Sequence, residues 1–319
     1  MTTLGDIYTC IDAIYPFGTQ EDWDNSGIQV GYSYQTVAKI ALAVDITPAI
    51  IEKAREDGVD LIITHHPLYF RGLTALSNNT PQGILTGELV GLGSFSFDIN
   101  EAGGETIEPT KPISHIAMHT NADKALGGVA DIAASVLGLQ NAVPLVLSPV
   151  SSINTTSGVE NTTSTKTDAT VGLGRVGDLE KPITLQDLAQ LVKSVLPKTQ
   201  KPVLVAGNPE RFVQRIALLP GAGDSEFMAA RDAGADVYIT SDLRHHPVLD
   251  QQTLNYGGRF GDLALIDTPH YAIESLFLTH KSGFLGRFSS KFVELFPELE
   301  LPEILNYASI STDPWTFSC

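Results

Sequence analysis

Residues 39–67 read KIALAVDITPAIIEKAREDGVDLIITHHP, and this stretch decides the fold class. Its two apolar runs, Lys39 to Ile46 and Asp60 to Thr64, are rich in Ile, Leu and Val and are predicted to be buried strands. Between them, Thr47 is placed to cap a helix that has Pro48 at its first position. A strand, a helix and a second strand in this order indicate a βαβ unit with parallel pairing.

The same alternation continues along the chain. The further predicted strands are Ser114 to Met118, Arg215 to Leu219, Asp236 to Thr240 and Leu263 to Ile266. The further predicted helices are Asp123 to Leu137, Gly223 to Ala233, His246 to Leu254 and Tyr271 to Thr279. The sequence therefore predicts an α/β protein with mostly parallel sheets.

Two polar segments interrupt this pattern. Gly91 to Pro112 is rich in glycine and polar residues and is predicted to be a loop insertion or a flap. Ser148 to Asp168 is dominated by Ser, Thr and Asn and is predicted to be a linker or a surface loop. We therefore predict a first α/β half at 1–147, a linker at 148–168 and a second α/β half at 169–319. The similar stretches THHP at Thr64 and RHHP at Arg244 do not by themselves predict an internal repeat.

The composition excludes several classes of protein. Asp and Glu number 37 against 20 Lys and Arg, and this formal net charge of -17 argues against nucleic-acid binding through a basic surface. The two cysteines, Cys10 and Cys319, form no CxxC pair, so a thiolate metal site is not expected. The first residues lack the pattern of a signal peptide, and no apolar run is long enough for a membrane span. We expect a cytoplasmic protein with no membrane partner.

Histidines follow the second strand of the βαβ unit directly, as Thr64-His65-His66-Pro67. Two adjacent histidines can share a site only where the strand ends and the backbone turns, and Pro67 favours such a turn. Open α/β sheets place their sites at the carboxyl ends of strands. The pair is therefore a candidate for metal binding, and the alternative is a surface or capping pair.

Two further strand ends carry ligand-type side chains. Asp123 follows the strand at Ser114 to Met118, and it is either a ligand or the N-cap of the next helix. After the last strand, His270 and Glu274 are four residues apart, so on a helix they lie on one face. An imidazole and a carboxylate at this spacing are a usual pair of metal ligands, and the alternative is an ordinary exposed pair.

The coincidence of the three strand ends carries more weight than any one of them. A parallel sheet brings such ends to one edge, where three imidazoles and two carboxylates exceed the four ligands of a structural zinc ion. They suffice for two divalent ions with open positions. Nitrogen and oxygen ligands without thiolate suit Zn, Fe or Mn, and also Co or Ni. Such ions attract phosphate-bearing ligands and activate water at neutral pH.

Motifs along nearly the whole chain resemble the GTP cyclohydrolase I type 2 homologue family, also called Nif-three-like proteins. The matching segments are DWDNSGIQVG from Asp22, VDITP from Val44, THHPL from Thr64, HTNAD from His119, GLGRVG from Gly172, GAGD from Gly221, TSDLRHH from Thr240 and DTPHYAIE from Asp267. The last motif usually contains glycine directly before its histidine, and this chain has Pro269 there.

The resemblance implies two interlinked α/β domains, with a metal site at the carboxyl ends of the strands. Its two divalent ions would be bound by the same five residues: His65, His66, Asp123, His270 and Glu274. It also implies a ring-shaped homohexamer. The interval between the GLGRVG motif and the second half is short, which indicates that the extra domain of longer members is absent.

Other residues near these motifs have weaker signals. DWDNSG is predicted to be a turn with Trp23 in the core, although Asp24 and Asn25 could contact the site. His119 is expected to support the metal site rather than bind metal. His245 and His246 are candidates for proton transfer in catalysis, and the alternative is that they cap a helix.

Two functions fit this pattern. The first is metal-assisted hydrolysis of a small substrate, such as a nucleotide or another phosphate-bearing molecule. The second is a non-catalytic protein that binds, stores or senses metal, or that uses it for interaction. Ligand types predict metal binding and do not by themselves distinguish these functions.

Overall fold

The computed structural model describes residues 1–73, 75–92, 109–148, 171–258 and 261–318. The strands are β1 Gly27–Val30, β2 Lys39–Ala43, β3 Leu61–Thr64, β4 Ser114–Ala117, β5 Gln140–Val143, β6 Val146–Leu147, β7 Gly172–Leu173, β8 Arg175–Thr184, β9 Leu204–Ala206, β10 Phe212–Ala222, β11 Val237–Ser241, β12 Ala264–Thr268 and β13 Glu303–Asn306. The helices are α1 Leu4–Ile14, α2 Pro48–Glu56, α3 Pro81–Leu89, α4 Thr120–Lys124, α5 Val129–Val136, α6 Leu185–Val195, α7 Phe227–Asp232, α8 His245–Gly257, α9 His270–Thr279 and α10 Phe284–Leu295. Each predicted strand is present.

The chain folds into two compact units. Unit 1 comprises Met1–Ala122 and Leu278–Thr312, and unit 2 comprises Asp123–Phe277 and Asp313–Cys319. These boundaries differ from the predicted division at 148–168, of which 149–168 lies outside the described residues. The physical reason is that strands from both sides of that segment pair in unit 2: β5 with β8, and β6 with β7.

Unit 1 is built on a five-stranded sheet of order β1-β4-β3-β2-β13. The pairs β4–β3, β3–β2 and β2–β13 are parallel, and only β1 is antiparallel to its neighbour. Helix α2 begins as predicted, because the Thr47 side chain accepts from the backbone of Ile50 and Pro48 occupies the first turn. Ile50, Ile51 and Ala54 of this helix are buried in an apolar cluster with Ala41 and other residues of the unit.

Unit 2 contains a six-stranded sheet of order β5-β8-β10-β11-β12-β9. Its centre, β10–β11–β12, is parallel, and the outer strands pair in the antiparallel direction. Ile216, Leu218, Val237 and Ile239 of the central strands are fully buried against apolar residues of the same unit. The mixed α/β fold is therefore confirmed, with parallel strands at the centre of each unit's main sheet.

Two local predictions are wrong. The helix predicted from Asp123 to Leu137 is divided into α4 and α5, because Gly127 has a φ of +70° and the second helix begins after Gly128. Trp23 was predicted to lie in the core, but 61% of its surface is exposed. The predicted loop from Gly91 to Pro112 falls mostly on 93–108, which lies outside the described residues. Among the helices that are described, none has the length and apolarity needed to cross a membrane.

Candidate metal centre

The first ligand pair of unit 1 lies where β3 ends. The Thr64 hydroxyl donates to the carbonyl oxygen of His66 over 2.6 Å, which fixes the turn after the strand. His65 is 1% exposed, and its Nδ1 lies 2.8 Å from the carbonyl oxygen of Met118. The Nδ1 of His66 lies 2.7 Å from Oδ1 of Asp45. Carbonyl and carboxylate oxygens only accept, so Nδ1 is the protonated nitrogen in both rings.

His119 lies two residues after the end of β4, and Asp24 orients it. The Nδ1 of His119 lies 2.8 Å from Oδ1 of Asp24, whose side chain is fully buried. The other oxygen of Asp24 accepts from the backbone of Thr120 and from the hydroxyl of Ser26. Burial alone would raise the pKa of Asp24, but hydrogen bonds from His119, Thr120 and the backbone of Asn25 bring it well below its ordinary value. Asp24 is therefore a carboxylate that holds the His119 ring in place.

The three histidines form a group that can hold a metal ion. One ring nitrogen from each of His65, His66 and His119 lies within 4.8 Å of the others. Because an oxygen atom accepts from Nδ1 in every ring, the lone pair of each neutral ring is on Nε2. Metal-binding histidines in proteins are usually held in this way by a carbonyl or carboxylate oxygen. The donor set therefore fits a divalent transition metal, and His119 belongs to it as a potential ligand.

A fourth histidine stabilises the turn that follows β3 through a hydrogen bond to Thr64. His115 on β4 is completely buried, and its Nε2 lies 2.7 Å from Oγ1 of Thr64. Since the Thr64 hydroxyl donates to His66, it accepts from Nε2–H of His115. Burial lowers the pKa of His115 to about 3, so the ring is neutral at physiological pH. A chain of two hydrogen bonds thus runs from the sheet to the backbone of a candidate ligand.

Unit 2 carries the His–Glu pair at the start of α9. His270 is the first helical residue after Pro269, and its Nε2 lies 2.9 Å from Oε1 of Glu274, one turn along the helix. Its Nδ1 lies 2.5 Å from Oδ2 of Asp242, which lowers the pKa of that aspartate. Glu274 is only 3% exposed. The pair is therefore buried at its carboxylate while the His270 side chain is 30% exposed, and proline before the histidine leaves the pair intact. The role of both residues as metal ligands stays a prediction.

A glycine makes room for this pair. Gly221, in β10, has a φ of +83°, and a Cβ atom there would lie 2.9 Å from Oε1 of Glu274 and 3.7 Å from Nε2 of His270. The first distance is shorter than ordinary carbon–oxygen contacts. Any other residue at this position would displace the Glu274 carboxylate, so the geometry of the pair depends on the absence of a side chain here.

The remaining predicted site residues have less defined positions. Asp123 is half-buried inside α4, so it is not the N-cap of that helix, and its role as a ligand stays a prediction. His245 and His246 are exposed in the first turn of α8, where Arg244 occupies the N-cap position. Their rings lie 5.2 Å apart, centroid to centroid. Their role in proton transfer also stays a prediction.

Sequence reasoning missed the carboxylates that hold the histidines. Asp45 and Asp242 each follow a buried strand by one or two residues, the same kind of position that identified the histidines. That signal marks them as candidates, but it cannot say which histidine each one contacts. Asp24, for which the sequence leaves a contact with the site open, is the partner of His119.

Comparison with known proteins shows which proteins this chain resembles. A protein of Streptomyces coelicolor named GTP cyclohydrolase 1 type 2 homolog is 36% identical over 274 residues, which are 86% of this chain and 82% of the relative. A Clostridium perfringens protein of the same name is 31% identical over 271 residues, 85% of this chain and 86% of the relative. The crystal structure of a Staphylococcus aureus hypothetical protein covers 99% of both chains with a TM-score of 0.76 and 26% identity.

The family model described as Duf34/NIF3 (NGG1p interacting factor 3) matches residues 2–92 and 108–296. These ranges include every candidate ligand described above. The chain therefore belongs to the Duf34/NIF3 family.

Proposed function

We propose that this protein binds two divalent metal ions per chain and uses them to hydrolyse a small, phosphate-bearing substrate. The observation that carries the proposal is the group of three histidines in unit 1, each held at Nδ1 by an oxygen atom. The proposed ligands are those predicted from the sequence: His65, His66, Asp123, His270 and Glu274. His119 is a further candidate.

The chemistry of the ligands supports transition metals. Imidazole nitrogen and carboxylate oxygen without thiolate favour Zn, Fe or Mn over Mg or Ca. When bound, such ions supply Lewis acidity and an activated water molecule. They also supply a local positive charge, which an anionic substrate needs in a chain of formal net charge -17. The name of the relatives, GTP cyclohydrolase 1 type 2 homolog, favours a nucleotide-like substrate.

The protein's own residues have defined tasks in this proposal. Asp24 and Asp45 keep the proton of His119 and His66 on Nδ1, which leaves the Nε2 lone pair of those rings available to a metal ion. Asp242 holds His270 at Nδ1, beside Glu274. His245 and His246 are exposed imidazoles, and we propose that they move protons to and from the substrate. We further propose a cytoplasmic homohexamer, as the family resemblance implies, which light scattering of the purified protein would test.

Elemental analysis tests the metal-binding part directly. Untagged protein purified without chelator should contain about two equivalents of a transition metal per chain, because we propose two bound ions. His65→Ala and Glu274→Ala should each lose metal while remaining folded, because neither residue contributes to the large apolar clusters. His280→Ala is the matched control, since that histidine is outside the ligand set, and it should retain the wild-type metal content.

Two results would contradict the proposal. One is wild-type protein that contains no metal and takes up none from added Zn, Mn or Fe. The other is a metal content in both ligand variants equal to that of wild type. Turnover is tested next, by phosphate release from nucleotides and phosphate esters, with the His245→Ala and His246→Ala variants beside the wild type.

A further inference from the structure

Two large aromatic side chains of unit 1 are exposed beside the histidine group. Trp23 is 61% exposed and Phe70 is 48% exposed. The Trp23 ring lies 5.8 Å from the ring of His119, centroid to centroid, with an interplanar angle of 76°. The Phe70 ring lies 5.4 Å from the same imidazole, at 83°. Single exposed aromatics are common on proteins, but two that contact one candidate metal ligand form a local arrangement that needs a reason.

The backbone that carries these two rings is fixed. Asp24, next to Trp23, is held by its hydrogen bonds from His119 and from the backbone of Thr120. The amide nitrogen of the Asn25 side chain donates to the carbonyl oxygen of Tyr69 over 2.8 Å, directly before Phe70. This hydrogen bond joins the segment of Trp23 to the segment of Phe70. The two aromatic rings are therefore held at the histidine group by polar contacts and not by burial in the core.

Aromatic faces that remain in contact with solvent are suited to stacking. A flat ring that stacks on Trp or Phe gains roughly 5- to 150-fold in affinity, whatever its hydrogen-bonding pattern. Both aromatic rings already contact the His119 imidazole. A small molecule whose ring stacks on either side chain is therefore long enough to reach that imidazole as well. One substrate can thus place its planar part on the aromatics and its anionic part at the histidines.

We propose that Trp23 and Phe70 form a binding subsite for the planar ring of an aromatic or heteroaromatic phosphate, such as a mononucleotide. The subsite deepens the proposed function and rests on it, since the phosphate is bound by the metal ions. It adds a preference for the ring, which metal binding alone does not supply.

Binding to the full-length, Mn-loaded protein tests this subsite. GMP and ribose 5-phosphate share the phosphate and the sugar and differ only in the planar base. By titration calorimetry, wild type should bind GMP on the order of tenfold more tightly or better, as expected for one stacked base. Trp23→Leu and Phe70→Leu should each lose most of this preference, with unchanged affinity for ribose 5-phosphate and unchanged metal content.

The chain offers a matched control and an optical readout. Tyr34 is also exposed, at 75%, and its described ring contact is with Tyr32 rather than with a candidate ligand, so Tyr34→Leu should leave both affinities unchanged. The chain has two tryptophans, Trp23 and Trp315. In a Trp315→Phe background, GMP should therefore quench the remaining fluorescence with the same saturation curve as calorimetry, and ribose 5-phosphate should not.

The outcomes separate this subsite from the metal proposal. Metal-loaded wild type that binds GMP and ribose 5-phosphate equally would overturn the subsite and leave the metal proposal standing. The same conclusion follows if both aromatic variants retain the full preference, or if they weaken both ligands equally. Wild type that takes up no metal and binds neither ligand would overturn both proposals.

Discussion

The two units contain the same strand–helix–strand segment, and the two copies differ where the candidate ligands are. Residues 54–64 read AREDGVDLIIT in unit 1, and residues 230–240 read ARDAGADVYIT in unit 2. Each segment begins within a helix, α2 or α7, and ends in the parallel strand that follows, β3 or β11. In each unit the preceding strand, β2 or β10, pairs with that second strand. The structure therefore contains a repeat, and aligning the two HHP motifs does not superimpose its two copies.

The supporting contacts are the same in both copies. Gly58 and Gly234 end the helices with φ values of +69° and +70°. One oxygen of Asp60 accepts from two consecutive backbone amides, those of Ala38 and Lys39. Asp236 makes the same pair of contacts in unit 2 with the amides of Gln214 and Arg215. In both units an aspartate before the second strand thus binds the first strand directly before the point where their parallel pairing begins, at Ile40 or Ile216.

The ends of the strands carry different chemistry. Asp242 occupies in unit 2 the position that His66 has in unit 1, two residues after the shared threonine. Asp45, which holds His66, follows β2, whereas Gly221 lies where the pairing of β10 with β11 shifts register between Leu218 and Ala222. The carboxylate of Glu274 lies 2.9 Å from where a Cβ atom at that glycine would be. The comparison teaches that both copies share the backbone supports, while the position of the candidate ligand His66 in unit 1 is occupied in unit 2 by Asp242, which holds a histidine.

The largest effect is expected from filling the space at Gly221. Gly221→Ala should lower metal affinity on the order of a hundredfold, because the new Cβ pushes the Glu274 carboxylate away, and displacements of about 1 Å can have effects of this size. Gly234→Ala is the matched control, since its φ is +70° but no atom lies within 4 Å of the added Cβ. The control should lose about 1 kcal/mol of unfolding free energy and keep its metal. Equal metal affinity in both variants, measured against a competing chelator, would contradict this assignment.

A smaller effect is expected from the carboxylates that hold the histidines. Asp45→Asn and Asp242→Asn should each reduce metal affinity by roughly 10- to 100-fold, the usual cost of losing the oxygen that orients a ligand histidine. Asp45 holds His66 and Asp242 holds His270, so the two losses should be of similar size. Asp232→Asn, on the exposed surface of α7, serves as the control. Wild-type affinity in either variant would show that its aspartate does not position a ligand.

The smallest effect is expected at the shared support. Asp60→Ala and Asp236→Ala should each lower the free energy of unfolding by about 1–2 kcal/mol, because each leaves two backbone amides without their acceptor. Urea unfolding measures both, and Asp60→Asn and Asp236→Asn should recover part of the loss. Losses that differ by much more than this range would contradict the equivalence of the two copies.

The contribution of Asp60 also has a pH dependence. Burial alone would raise its pKa, but hydrogen bonds from Lys111, Ala38 and Lys39 bring the pKa below its ordinary value. The folded state therefore favours the ionised form. The stabilisation is complete above the pKa of the unfolded chain and is lost as the pH falls through the lowered pKa.

Much of this architecture could be predicted from the sequence. The strands of 39–46, 60–64 and 236–240 were found because each has a dense apolar run before a polar turn. The histidine pair was found because it directly follows one of them. The exposure of Trp23 could not be predicted, since it depends on the long-range contact between Asp24 and His119, which are 95 residues apart.

The internal repeat could not be predicted from the sequence either, because it also depends on contacts between distant parts of the chain. THHP at Thr64 and RHHP at Arg244 look alike, but the structural counterpart of Thr64 is Thr240. His245 and His246 are therefore not the counterparts of His65 and His66. The two HHP motifs occupy different positions relative to the shared strands. The strand pairing, and not the similarity of the motifs, shows which threonines correspond.

The path of the chain through the two units limits how the protein can be divided. Each unit is made of two separate stretches, with crossings at Ala122–Asp123, Phe277–Leu278 and Thr312–Asp313. No single truncation can yield either unit complete. A cut between Ser148 and Val171 would separate β5 from β8, which are partners in one sheet. Expression of an isolated unit 1 instead requires a gene fusion that joins its two stretches by a designed linker.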